Sequence, residues 1–247
     1  TQSNQIKNTK NSLIHWMREK NNFLDKDTIY QLLQHYGRVD EFIEFARIKK
    51  DYETIILHYI NEKSIKKALE ELTTFILQEE EISVRGKDKE GKLEELRNIF
   101  IRYSHSFMRY EPVTTIDLLM NKFQSIDPNK IISAIMSTEK GNTEQVLNYI
   151  RTLIKDPKRR EKNIHNLYLF YLSKVNSDEN NPELIEYLKR PLKKESSSFN
   201  SKHNAKEILF ELDYAKKLFS QNNLPLSLVL ALMGKYAEGV KTALSVG

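Results

Sequence analysis

The residues best placed by type and spacing to do chemistry lie between Gly86 and Lys92. Gly86-Lys87-Asp88-Lys89-Glu90-Gly91-Lys92 matches G-x-x-x-x-G-K, a spacing that lets backbone N–H groups wrap around phosphates. The pattern then needs Ser or Thr to hold magnesium, and Leu93 stands there instead. It also needs a buried strand before the loop, whereas Glu79 to Glu81 precede only the weakly strand-like Ile82 to Val84. Charged residues inside the loop suit solvent better than a triphosphate, so the stretch reads as a solvated linker. The six histidines, His15, His35, His58, His105, His165 and His203, show no i, i+3 or i, i+4 pairing and no H-E-x-x-H. They read as surface or inter-helix packing residues, and no metal is expected. There is no cysteine, which removes disulfides and cysteine-based zinc sites, and no G-x-S-x-G elbow for a hydrolase. The expectation is a chain that is not an enzyme and needs no cofactor.

One cluster remains that could bind rather than react. Lys155, Lys158, Arg159, Arg160 and Lys162 form the densest basic patch, on a turn opened by Asp156-Pro157. Such a patch can touch acidic lipid headgroups, a phosphate backbone or an acidic partner helix, and these are the candidate partner-binding residues. Tyr168, Phe170 and Tyr171 follow closely and could stack on bases, but Tyr168 and Tyr171 also serve an apolar helical stripe, which favours core packing.

The elements that must position these residues are helical. Between Asp25 and Leu72 four short amphipathic segments follow one another. Ile29, Leu32, Leu33 and Tyr36 fall at i, i+3, i+4 and i+7, as do Val39, Phe42, Ile43 and Ala46. Tyr52, Ile55, Ile56, Tyr59 and Ile60 repeat the spacing, and Ile65, Ala68, Leu69 and Leu72 repeat it again. Gly37 offers a helix stop, and Asp51 and Ser64 offer N-caps. Helices this short cannot bury their stripes alone. Pairs in series, each packed on the next, make an α-solenoid.

The rest of the chain continues the pattern. Leu96, Ile99, Phe100, Tyr103, Phe107 and Tyr110 line one long helix, and Pro112 suits the first turn of the next. Asp127-Pro128 and Asn181-Pro182 each start a short helix, and Asn142 and Gln145 stand at capping-box spacing. Leu224 to Met233 is apolar on nearly all sides, as a helix between neighbours would be. A weak internal echo aligns Ile65-x-x-Ala68-Leu69-x-x-Leu72 with Tyr236-x-x-Gly239-Val240-x-x-Ala243, each with a small residue where two backbones could approach. Two stretches break the periodicity: 79–92, charged with two glycines, and 191–204, with a serine run. Both read as inserted mobile loops in a single segment spanning 1–247.

Composition agrees. Seven Gly and six Pro are few against the roughly seventeen and twelve of average usage, which argues against a turn-rich β sandwich. The net charge of +5 is spread along the chain and permits, without demanding, acidic partners. No run approaches the ~20 apolar residues of a membrane span, and no signal peptide opens the chain. A chain that opens on Thr1 and ends in a helical pattern points to a segment of a longer protein.

The stretch from Leu24 to Leu72 also carries a resemblance. Its Leu24-Asp25-Lys26-Asp27-Thr28-Ile29-Tyr30 opening, Asp51-Tyr52-Glu53 after a short helix, and the Ala68 segment resemble the helical-repeat region of the vacuolar protein sorting-associated protein 18 family. Leu212 to Leu244 resembles a later segment of the same region. The resemblance implies an all-α fold, an α-solenoid of stacked antiparallel helix pairs of the clathrin heavy-chain-repeat type. It implies a scaffold within the HOPS and CORVET tethering complexes, contacting their other core subunits and, indirectly, Rab GTPases and SNAREs. Its place would be the cytoplasmic side of late endosome and vacuole or lysosome membranes. The family's RING zinc sites map onto no residue here, since there is no cysteine. Two alternatives stand beside it: a helical-repeat nucleic-acid binder, favoured only by the positive charge, and a solenoid from another vesicle coat. Such nucleic-acid binders place recurrent base-reading residues in every repeat, no such column is present, and no nucleic acid is expected.

Overall fold

The structure is a computed structural model that describes residues 2–83, 90–138, 140–156, 159–175, 181–192 and 207–245. The described residues form α-helices and 3-10 turns with no strand, an all-α solenoid. Two compact units divide the chain, 1–124 and 125–247.

Unit 1 holds α1 (Gln2–Glu19), α2 (Lys26–His35), α3 (Val39–Lys49), α4 (Tyr52–Asn61), α5 (Ile65–Ser83), α6 (Glu90–Tyr110) and α7 (Pro112–Asn121). From α2 onward each helix packs on the next. α1 also meets α3, α4 meets α6 and α5 meets α7. Packing on the neighbour and on the neighbour after it is what a two-layered stack requires.

The short helices end by one device. Gly37 has φ +64°, its N–H reaches the Gln34 carbonyl and the Arg38 N–H reaches the Leu33 carbonyl, a Schellman closure. Lys50 and Lys63 do the same at φ +54° and +56°, with Asp51 and Ser64 bonding back to Ala46 and Tyr59. The three left-handed residues stand thirteen apart, one short helix plus its turn. Asp51 caps α4 as its sequence position suggests, accepting from the Thr54 N–H at 3.4 Å and its hydroxyl at 2.8 Å. Lys49 reaches back to the carbonyls of Asn21 and Leu24, at 2.6 and 3.0 Å, closing the 3-10 turn Asn21–Phe23.

The core follows most of the stripes. Tyr52, Ile55, Ile56, Tyr59, Ile65, Ala68, Leu69 and Leu72 are all buried, as are Leu96, Ile99, Phe100 and Phe107. Three corrections apply. Leu32 and Tyr36 are exposed, because α2 turns its Leu33 side inward, and Val39, the first residue of α3, is exposed as well. The expected 79–92 loop does not hold at either end: Glu79 to Ser83 belong to α5 and Glu90 to Lys92 to α6. The strand-like reading of Ile82 and Ser83 therefore fails, and 84–89 lie outside the described residues. Tyr110 and Val113 are exposed where α6 gives way to α7.

Unit 2 holds α8 (Ile132–Met136), α9 (Thr143–Lys155), α10 (Lys162–Val175), α11 (Pro182–Lys189), α12 (Leu212–Leu218), α13 (Asn223–Leu232) and α14 (Tyr236–Leu244). α10 is its centre, packing on α9, α11 and α12, and α13 lies against α11, α12 and α14. Asn181 is the buried N-cap of α11: its side chain accepts from the Glu183 and Leu184 N–H groups and donates to the Leu172 carbonyl at 2.9 Å. Asp127-Pro128 opens a 3-10 turn, Pro128–Lys130, rather than an α-helix. The capping box does not form. Asn142 makes no side-chain cap, and the Gln145 Oε1 is buried without a hydrogen bond. Pro191 and Leu192, expected in a loop, close a 3-10 turn, Arg190–Leu192, and 193–206 lie outside the described residues.

The internal echo holds at its small residue and departs around it. A Cβ on Gly239 would lie 2.9 Å from the Ser227 carbonyl oxygen, so α13 and α14 touch backbone to backbone there. Yet Tyr236 and Val240 are exposed, whereas their counterparts Ile65 and Leu69 are buried. α5 is packed on both α4 and α6; α14 is packed on α13.

Candidate interaction surface

The basic cluster lies between α9 and α10. Lys155 is the last residue of α9 and Lys162 the first of α10, both exposed. Arg160 is exposed and pairs with Glu207 at 3.0 Å, and Arg159 is half-buried. Lys158 lies outside the described residues. The turn is pinned from below. His165, 2 % exposed, sets Nε2 3.3 Å from the Arg159 carbonyl and Nδ1 2.5 Å from the Tyr187 hydroxyl. Burial holds this imidazole below its ordinary range, against the Arg159 carbonyl and the nearby Glu161, which favour the charged form. The cluster is thus a charged edge on an anchored turn. Its cations do not converge on a cavity, and the Arg160–Glu207 pair already neutralises part of it.

Two of the three aromatic residues beside it, Tyr168 and Tyr171, are not free to stack on bases. Tyr168 and Tyr171 are both 3 % exposed. The Tyr168 hydroxyl donates to Glu183 at 2.6 Å and that of Tyr171 to the Ile135 carbonyl at 2.8 Å. Burial pushes the Tyr171 phenol up to about 12. Phe170 carries Lys174 over its ring at 4.0 Å. Core packing is the role of Tyr168 and Tyr171, which leaves the half-buried Phe170 alone of the three on the stacking route to nucleic acid.

Two polar networks escaped sequence reasoning. In unit 2, Arg151 grips Glu183 with two parallel bonds of 2.9 and 2.6 Å, and also reaches Glu144 and Asn148, joining α9, α10 and α11 through Tyr168. The Arg151 bonds, ahead of burial, hold the Glu183 carboxyl below the ordinary range. In unit 1, Glu79 is 4 % exposed and accepts from the Tyr52 hydroxyl and from Lys50 at 3.0 Å. Burial by itself would raise its pKa; Tyr52, Lys50 and Lys92 outweigh it and hold the carboxyl low. Its setting among Glu80 and Glu81 reads as solvent-facing charge. Its position on the Phe75 side of α5 was the available signal. Each of these groups is satisfied by its neighbours, the pattern of structural ties rather than of a reactive centre. Among the described residues no group of three or more His, Asp or Glu could hold a metal ion. No helix among them is long and apolar enough to cross a membrane.

The helical order therefore carries more functional information than any side-chain cluster, and comparison with known proteins agrees. A family model described as the second half of the VPS18 alpha-solenoid domain matches residues 52–247. The chain belongs to the VPS18 family. The match crosses the boundary between the two units and includes every element from α4 to α14. The chain is similar to vacuolar sorting protein 18 of Arabidopsis thaliana, 27 % identical over 230 residues, and to the vacuolar protein sorting-associated protein 18 homolog of Danio rerio, 26 % over 228. It is also similar to the vacuolar membrane protein pep3 of Schizosaccharomyces pombe, 21 % identical over 228 residues. Each alignment covers 90 % of this chain but only 20 to 22 % of the relative, so the VPS18-family chain spans about a fifth of the length of these curated relatives.

Proposed function

We propose that this chain is a scaffold segment of a membrane-tethering complex subunit. It holds other core subunits of the HOPS and CORVET complexes in place while vesicles or endosomes dock and fuse with the vacuole or lysosome. The observation that carries the reading is the VPS18 solenoid match over 52–247, joined to similarity with vacuolar sorting proteins over nine-tenths of the chain. An α-solenoid acts by offering a long surface, and the polar networks here are internally satisfied, which supports holding rather than catalysis. On this reading 1–247 works as one solenoid segment, as the match across residue 124 supports. It acts peripherally, on the cytoplasmic side of late endosome and vacuole membranes, with Rab GTPases and SNAREs reached through the other subunits. Lys155, Lys158, Arg159, Arg160 and Lys162 serve as a contact edge for an acidic partner surface.

The test is capture of the purified chain on each core subunit, with RNA and acidic liposomes in parallel and stepped salt. Salt-resistant capture by a core subunit, with RNA and liposome binding lost as salt rises, is the expected result. Tight, saturable RNA binding with no subunit captured would overturn the proposal and favour the nucleic-acid reading.

A further inference from the structure

The inference concerns the buried imidazole beneath the basic turn. His165 is 2 % exposed, yet both its ring nitrogens have partners. The Arg159 carbonyl can only accept, so Nε2, 3.3 Å away, carries the ring proton. Nδ1 is then the bare nitrogen, and the Tyr187 hydroxyl donates to it at 2.5 Å. One neutral ring thus ties the backbone of the turn to α11. Two local backbone bonds complete the turn: the Arg159 N–H to the Asp156 carbonyl and the Ile164 N–H to the Glu161 carbonyl, each at 3.0 Å. The Arg160–Glu207 pair also reaches the turn, but both side chains are more than 60 % exposed, where an ion pair holds little. Beside the ring lies a cavity of about 90 Å³, lined by His165 and Tyr187 with Ile154, Arg190, Glu207 and Phe210 among its walls.

A second proton on the ring undoes this arrangement. The Nδ1–H and the Tyr187 O–H would then face each other across 2.5 Å, and that hydroxyl has no other hydrogen-bond partner among the described residues. The ring would also carry a charge in a buried place. The groups that face it do not offset that cost. In the turn, Glu161 favours the charged ring, but Arg159 stands there too. On the α11 side, Tyr187 is neutral, and Arg190, 5.4 Å over the Tyr187 ring, lines the cavity as a second cation. Glu207, ahead of α12, lines it as well but is already paired with Arg160. From α9 come the apolar Ile154 and, near Arg159, the Tyr149 phenol, which burial keeps neutral. A water needs about 10–15 Å³, so the cavity gives a charged ring a wet place to turn into once the bridge is lost.

We propose that His165 is a proton-operated latch on the basic turn. Neutral, it holds residues 159–162 to α10 and α11; protonated, it drops the bridge and lets the turn open before the helices do. Only the consequence rests on the contact edge proposed above: Arg159, Arg160 and Lys162 are presented in one fixed arrangement at neutral pH and lose it in acid. The latch is read on the chain alone, so failure to dock on any subunit leaves its test untouched.

The test follows His165 and the turn together by NMR from about pH 7.5 to about pH 5, the span in which imidazoles titrate. Ring carbon shifts report the tautomer and the uptake of the proton. Amide exchange, corrected for intrinsic rates, reports Arg159 and Ile164. The expected result is the Nε2–H tautomer at neutral pH, with exchange at both amides rising about tenfold in step with His165 protonation, the worth of one hydrogen bond. The rise should exceed that of the inner amides of α10. His165→Gln, whose amide can still donate to the Arg159 carbonyl but takes no proton, should keep the turn closed throughout. Tyr187→Phe, which removes the donor to Nδ1, should move the opening to higher pH. Thermal unfolding at neutral pH checks that both variants fold; where one does not, the titration of the parent chain decides. Turn amides unchanged while His165 takes its proton, an Nδ1–H tautomer, or the same opening in folded His165→Gln would overturn the proposal.

Discussion

The two units reach helical stacking by different means. In unit 1 the short helices α2, α3 and α4 end on a left-handed residue at regular intervals, and ties between helices run through carboxylates: the part-exposed Asp51 to Lys26 and Tyr30 and Glu53 to Arg102 and Tyr103, and the buried Glu79 to Lys50 and Tyr52. In unit 2 the described helices turn left-handed only at Gly234, and the interior is fixed by buried hydroxyl, amide and imidazole groups: Tyr168, Tyr171, Tyr187, Asn181 and His165. Repeated local closure makes a regular stack; buried polar contacts between distant residues make a particular one.

Four changes would break or sharpen that contrast. The largest effect is expected for Glu183→Ala, which strips the shared acceptor from Arg151 and Tyr168. Removing one partner of a fully buried pair costs about 3–5 kcal/mol. Glu183 is 39 % exposed, so solvent screening brings the figure down to about 2 kcal/mol, read as a lower urea midpoint. Next is Gly239→Ala. Its Cβ must displace the Ser227 carbonyl, and overpacking at one exposed-edge helix pair should cost about 1–2 kcal/mol, the lower part of the usual range, with hydrogen exchange rising in α13 and α14.

Acid should separate the units. His165 is buried with its pKa below the unfolded value of 6.5, so the unfolded chain takes up the proton first and stability falls as pH drops below about 6.5. Asp51 and Glu79 are held below their unfolded values of 3.8 and 4.5, so their contribution is complete above that range and lost only as pH falls through it. Hydrogen exchange, corrected for intrinsic rates, should show α10 and α11 losing protection first on acidification, with α3 to α5 following near pH 4. Simultaneous loss would remove the contrast.

The smallest effect is a gain. Lys63 holds φ +56° where a side chain costs about 1–2 kcal/mol over Gly, partly offset by the greater freedom of Gly when unfolded. Lys63→Gly should therefore stabilise by about 0.5–1 kcal/mol in thermal unfolding. Lys50→Gly should gain less, because Lys50 also bonds Glu79.

These contrasts explain what could be read from the residues. Period and turn chemistry are local, so the helices of unit 1, the Gly37 stop, the Asp51 cap and the long α6 are legible in the residues alone. Depth was not. Leu32, Tyr36, Val39, Tyr236 and Val240 sit on correct stripes, yet a stripe is buried only where a second helix lies over it. Nor were long-range partners legible: Glu79 lies among acidic neighbours in the chain but among Tyr52 and Lys50 in the fold. The capping box failed for a related reason, since Lys140–Asn142 closes as a 3-10 turn and leaves Asn142 no cap to make. Of the candidate site, the basic turn was visible as composition. Its anchoring through His165 and the Arg160–Glu207 pair bring together residues 6 and 47 positions apart, and no spacing rule connects them.

What most needs testing is the proposal that this chain docks directly on other subunits of a vacuolar sorting complex. Light scattering after mixing the purified chain with each core subunit, at low and then at high salt, tests it most directly. A discrete complex of defined stoichiometry with at least one subunit, persisting at high salt, is the predicted result. Free components at both salt concentrations, with every subunit separately shown to be folded, would contradict it.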